Sequence, residues 1–183
     1  MDAIVLSGKR ELDIFVNPQR QNLLRAMRVA GVPMTPKQLS ARVGISPSAV
    51  QHHIRKLLEL GVVELSHTER IHGITASYYR VSPRDVSIGV LPRDGLGEER
   101  LACIQGALSA VFSGYADYVR RGVAEGEQFG DALTGVIRLN HDEARELYGM
   151  IRRFLDERRR EGRDGSPWEY ALIAYPVAEA GDA

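Results

Sequence analysis

Ser48, Gln51, His52, Arg55 and Lys56 lie within about two helical turns of one another in the run SPSAVQHHIRK, with Ser46 just ahead of them. Guanidinium and amide groups can read base edges, and ammonium and hydroxyl groups can hold phosphates. The chemistry on offer is therefore non-covalent recognition of a polyanion. A second group, His67, Arg70 and His72, falls in SHTERIHGITAS beside Gly73. An arginine there would enter a minor groove or hold a phosphate. His52 and His53 also invite a metal reading, but neighbours on a helix point about 100 degrees apart and cannot chelate one ion together. No phosphate-binding glycine loop, nucleophile elbow or spaced ligand set occurs. Glu98 with Glu99, and Asp156 with Glu157, read as exposed helix charges. No catalytic residue, metal site or cofactor is expected.

The elements that must hold these residues follow from proline and glycine punctuation. Asn17 and Pro18 form an N-cap and first-turn pair, after which Leu23, Leu24, Met27 and Ala30 recur at helical spacing until Gly31. Thr35 caps a short second helix carrying Leu39 and Val43 before Gly44. Ser46 and Pro47 open a third, which runs through Val50, Ile54, Leu57 and Leu58 to Gly61. At 100 degrees per residue the apolar four share one face, leaving Ser48, His52, Arg55 and Lys56 opposite and Gln51 at the edge. Ser40 is small enough to let the second and third helices approach, and Gly44 permits the sharp turn between them. Val62, Val63 and Leu65 with Tyr78, Tyr79 and Val81 then read as a hairpin, with the polar stretch Ser66 to Ser77 connecting them.

Farther on, Leu101, Ile104, Leu108, Val111, Tyr115 and Tyr118 alternate spacings of three and four, a seam that wants a partner helix. Leu133, Val136, Ile137 and Leu139 read as a strand. Asn140 with Glu143 begins a helix whose face is Ala144, Leu147, Ile151, Phe154 and Leu155, and Trp168 to Val177 reads as a final strand. The pattern leaves open whether the two strands pair within a chain or across a dimer. Tyr115, Tyr118, Tyr148, Phe154, Trp168, Tyr170 and Tyr175 are core candidates; a pocket among them would take a small apolar or aromatic effector.

The chain has 183 residues, 44% apolar and 26% charged, enough for a buried core in one or two small domains and too short for a large multidomain enzyme. Lysine plus arginine number 24, as do aspartate plus glutamate, so the summed charge is zero. The halves differ. Residues 1–85 hold 12 basic and 7 acidic side chains, an excess of +5, and residues 86–183 hold 12 and 17, an excess of −5. Segregation of this kind suits a front half that meets a polyanion. Cys103 stands alone, so no intrachain disulfide forms and a cytoplasmic setting is expected. The opening MDAIVLSGKRELDIF is too short an apolar run for a secretory signal, and no apolar span suits a membrane helix.

Residues 17–82 resemble the winged helix-turn-helix transcriptional regulators of the ArsR type. The resemblance lies in NPQRQNLLRAM as first helix, LSARVGISPSAVQHHIRKLLELGVVE as reading unit and ERIHGITASYYR as wing. Val50, His53, Ile54, Leu57 and Gly61 look like that family's third helix running into its wing. The resemblance implies a cytoplasmic homodimer that binds a double-stranded DNA operator and often represses until an effector binds. The second helix lacks the cysteine pair of the metal-sensing members, and His141 beside Asp142 has no second histidine in the last helix. Metal sensing is therefore not implied.

The expected fold is α+β, mainly α. Residues 1–85 form a winged helix-turn-helix DNA-binding domain, 86–97 a linker, and 98–183 a C-terminal helical or α+β region for dimerisation or effector binding. DNA contacts are expected from Ser46, Ser48, Gln51, His52, Arg55, Lys56, His67, Arg70 and His72. The dimer contacts are expected along the seam from Leu101 to Tyr118. The competing function is a winged-helix module that docks a protein without reading DNA.

Overall fold

The computed structural model describes residues 3–71, 73–88, 95–122, 130–158 and 165–177. It is mainly helical. Four helices, α1 (Lys9–Val16), α2 (Pro18–Ala30), α3 (Pro36–Val43) and α4 (Pro47–Glu59), precede a hairpin of β2 (Val63–Ile71) and β3 (Ile74–Val81). A long α5 (Gly97–Arg121) and α6 (His141–Arg158) follow, and β1 (Ile4–Val5) pairs in parallel with β4 (Val86–Ser87).

The helix ends fall where side chains satisfy free backbone groups. Asn17 accepts from the N–H groups of Gln19 and Arg20, Thr35 from Gln38 and Ser46 from Ala49. Gly31 and Gly44 close α2 and α3 at φ of 65° and 71°, a left-handed conformation that favours glycine. Apolar faces then meet: Leu23, Leu24, Met27, Leu39, Val50, Ile54, Leu57, Val62 and Val63 form one buried cluster with Leu6, Leu12, Phe15, Met34 and Cys103.

Two parts of this core lie outside the expected elements. Helix α1 brings Leu12, Ile14 and Phe15 inside, and its Glu11 carboxylate accepts from the N–H groups of Ser7 and Gly8, which hold it below the usual carboxylate range. Residues 86–87, inside the stretch expected as linker, pair with β1, and Arg100 is buried while donating to the carbonyl of Ile88 at 3.1 Å. The start of α5 thus belongs to the front core. Cys103 is buried there, as a small apolar side chain would be.

The hairpin is longer than expected. Its ladder runs from Val63 opposite Val81 to Ile71 opposite Ile74, with a bulge between Leu65 and His67 and a turn at Gly73, where φ is 82°. Most of the polar stretch from Ser66 to Ser77 is therefore strand. Thr68, Ile71, Ile74, Thr75 and Tyr78 favour extended backbone, and a two-stranded ribbon wet on both faces needs no apolar alternation.

The C-terminal expectation of two strands needs correction. Leu133 to Leu139 and Trp168 to Val177 form no strand among the described residues. Strands need a neighbouring strand, and these segments find none among the described residues; Leu133 is 93% exposed and Val136 88%. Helix α6 begins as expected, with the Asn140 side chain accepting from Asp142 and Glu143 and the Glu143 carboxylate accepting from the N–H of Asn140. No residue of α6 is buried.

Candidate nucleic-acid interface

Helix α4 is fixed from below and from its start. Val50, Ile54 and Leu57 are fully or almost fully buried, so its roll about its own axis is set. Ser40 Oγ donates to the carbonyl of Ile45 at 2.6 Å, which cross-braces the turn between α3 and α4. Ser46 Oγ accepts from Ala49 N at 3.2 Å and lies 3.1 Å from Ser48 Oγ. The hydroxyl of Ser46, expected at a DNA contact, is thus engaged as the cap.

On this rigid base Ser48, Gln51, His52 and Arg55 are all exposed. They present hydroxyl, amide, imidazole and guanidinium groups on one polar face, the inventory that contacts base edges and phosphates. Lys56 is placed differently. It is half-buried on the flank toward α1, its Nζ 2.9 and 3.2 Å from the two Glu59 carboxylate oxygens, and Arg10 reaches the same carboxylate at 3.2 Å. These cations hold the Glu59 carboxyl below its usual range, Lys56 first.

That flank carries a cleft of about 450 Å³ lined by Lys9, Arg10, Asp13, Ile14, Arg20 and Lys56. Its charges are spent internally. Lys9 pairs with Glu99 at 3.4 Å, while Arg20 donates to the carbonyls of Ile14 and Asp13, tying α1 to α2. His53 also faces this side: it is half-buried, and its Nδ1 is buried without a hydrogen-bond partner in the protein. Burial, then the positive charge of Arg20, then His52, push its pKa down. The neutral ring is therefore favoured, as an inward-leaning imidazole beside a guanidinium requires.

The wing stands beside α4 as a ribbon. Arg70 is exposed opposite Thr75, and His67 is exposed with its ring stacked on Tyr78 at 4.5 Å between centroids. The Tyr78 hydroxyl donates to Glu69 at 3.2 Å. Arg70 is thereby held on a strand rather than on a loose loop. His72 lies outside the described residues. The structure thus brings Ser48, Gln51, His52 and Arg55 together on α4, puts His67 and Arg70 on the hairpin, and turns Lys56 toward α1.

Residues 15–66 match the family model described as a helix-turn-helix domain. They form a helix-turn-helix domain. The match spans α2, α3 and α4 and the start of the hairpin, and it supports a DNA-binding regulatory role. A search of curated proteins finds no match. No described helix is long and apolar enough to cross a membrane. Among the described residues no group of three or more histidine, cysteine or acidic side chains is placed to hold a metal ion.

In the seam expected to face a partner, Leu101 is 59% and Leu108 36% exposed, while Ile104, Val111, Tyr115 and Tyr118 are half-buried. Tyr115 and Tyr118 stack at 6.2 Å, and the Tyr118 hydroxyl accepts from the N–H of Gly130. The other aromatics considered as core or pocket, Tyr148, Phe154, Trp168, Tyr170 and Tyr175, are all more than a third exposed. Sequence reasoning passed over α1, although Leu12, Ile14 and Phe15 with Glu11 near the start carried a short amphipathic signal.

Proposed function

We propose that this protein is a cytoplasmic, homodimeric transcriptional regulator of the ArsR type, a repressor whose α4 enters the major groove of an operator while the wing rests on the adjacent backbone or minor groove. One observation carries the reading: beyond its first residue, Pro47, the open face of α4 is polar, with Ser48, Gln51, His52 and Arg55 exposed above a buried, capped helix. Two copies would set two such helices about one duplex turn apart, roughly 34 Å. Their front halves together would carry an excess of about ten positive charges, enough for steep salt dependence. A small-molecule effector would act through the C-terminal half. DNA as partner and a lone, buried Cys103 both suit the cytoplasm.

A winged helix that docks a protein would be expected to offer an apolar anchor on α4. The open face has none. Fluorescence anisotropy with the DNA upstream of the protein's own gene tests the proposal. Arg55→Ala is expected to cost about 1–3 kcal/mol of binding and to relax preference at one base pair. Affinity indifferent to salt, or retained when Arg55 and Gln51 are both alanine, would overturn it.

A further inference from the structure

We propose that residues 133–139 and 168–177 are the strands of a sheet shared between two copies of this chain and laid beside the exposed stripe of α5. This rests on the homodimer reading above and says where that dimer is built.

Beyond Cys103 no described residue is buried, although these two segments are rich in valine, isoleucine, tryptophan and tyrosine. Leu133, Val136, Ile137, Trp168, Ile173 and Tyr175 are each more than half exposed. Together they present apolar area on the order of 800 Å², which is what one partner contributes to a stable protein interface. The residue types favour strands, and the segments make no ladder with any described residue.

The second segment is already held in place. Glu169 accepts from Arg25 Nε at 2.8 Å and from its Nη2 at 3.1 Å, and it lies where Gly114 has no side chain: a Cβ there would be 2.8 Å from its carboxylate. Farther along, the Tyr148 hydroxyl donates to the carbonyl of Ala174 and accepts from its N–H. The segment therefore rests on α2, α5 and α6 of its own chain while Trp168 and Tyr170, on either side of Glu169, stay more than half exposed. The anchored segment thus keeps one side, with its aromatic side chains, open to a second chain.

A second copy fits this surface best. The exposed apolar side chains are spread over two segments and a helix, more widely than a small-molecule pocket would need, and a twofold axis lets identical strands cover one another and close the assembly.

Sedimentation equilibrium on the full chain without DNA is the test. The wild type is expected to be a dimer, and Ile137→Asp and Ile173→Asp are each expected to weaken it roughly a hundredfold while the front half keeps its thermal transition. A mixed sample of isotope-labelled and unlabelled wild type provides a second reading without substitution: nuclear Overhauser contacts between chains should connect 133–139 or 168–177 to a partner strand. A monomeric wild type, or a dimer that survives both substitutions and shows no such contacts, would overturn the proposal. A dimer joined by these strands that ignores DNA would count against the DNA reading and leave this one standing. A DNA-binding dimer joined elsewhere would do the reverse.

Discussion

Leu57 and Leu133 are the same side chain in two halves of one chain; the first has no exposed surface and the second is 93% exposed. The contrast extends to their surroundings. Around Leu57, four helices, a hairpin and the start of α5 interlock, with each helix of the reading unit capped and the turn between α3 and α4 braced. Around Leu133 stand well-formed helices, and no described residue beyond Cys103 is buried. The front half closes its core within one chain and presents a polar face on α4. The back half presents apolar segments that a single copy leaves uncovered.

The largest test of this contrast is a matched pair of truncations. Leu57→Ala should cost about 2–5 kcal/mol of front-half stability in urea unfolding followed by circular dichroism. Leu133→Ala should leave that transition within about 0.5 kcal/mol of wild type. Equal losses would mean that both leucines sit in one core, and the contrast would be lost.

Caps give the next comparison. Ser46→Ala removes the acceptor for Ala49 N and should cost about 1 kcal/mol in the same unfolding transition. Asn140 accepts from two N–H groups at 2.9 Å, a fuller cap, yet α6 has no buried residue to transmit the loss. Asn140→Ala is expected to reduce helix content without moving the front transition. A shift as large as that of Ser46→Ala would show that α6 unfolds together with the front half.

The same division explains what could be read from residues alone. Local signals were sufficient for α2, α3 and α4, because Asn17, Thr35 and Ser46 are caps, Gly31 and Gly44 are stops, and the apolar spacing between them is helical. Gln51, His52 and Arg55 could be placed on the open face by angle alone. Lys56 sits near the boundary of that face, and its turn toward Glu59 and Arg10 depends on α1, whose short length and mixed polarity gave little periodicity to read. The pairing of Val86 with Ile4 is non-local and leaves no sequence pattern. Leu133 to Leu139 and Trp168 to Val177 have strand composition, but composition does not provide the neighbour that a strand needs.

Among the described residues, Lys9 with Glu99 and Arg25 with Glu169 are ion pairs that bridge the halves. The second has better geometry, two donors of Arg25 meeting both carboxylate oxygens, and this partnership raises the Arg25 pKa. Both side chains are at least a third exposed, so a double-mutant cycle of Arg25→Ala and Glu169→Ala should give about 0–1 kcal/mol of coupling. Gly114→Ala should remove most of that coupling, since its new methyl would crowd Glu169. A coupling unaffected by Gly114→Ala would place the Glu169 carboxylate elsewhere.

The smallest signal is expected from a proton on the boundary of the recognition helix. His53 is half-buried beside Arg20, and its folded pKa lies below the ordinary histidine value of 6.5. As pH falls below 6.5 the unfolded chain takes up the proton before the folded one does, so stability is lost from there down to the folded pKa and then levels off. The effect is modest because the ring keeps partial access to water. The carboxyls of Glu11 and Glu59, both lowered, act in a separate window beginning below their ordinary 4.5. Front-half stability measured by urea unfolding should therefore decline between pH 7 and pH 5.5 in the wild type and decline less in His53→Gln, with Leu133→Ala following the wild type. An unchanged slope in His53→Gln would assign the decline to another group and remove His53 as the link between protonation and the packing of α4.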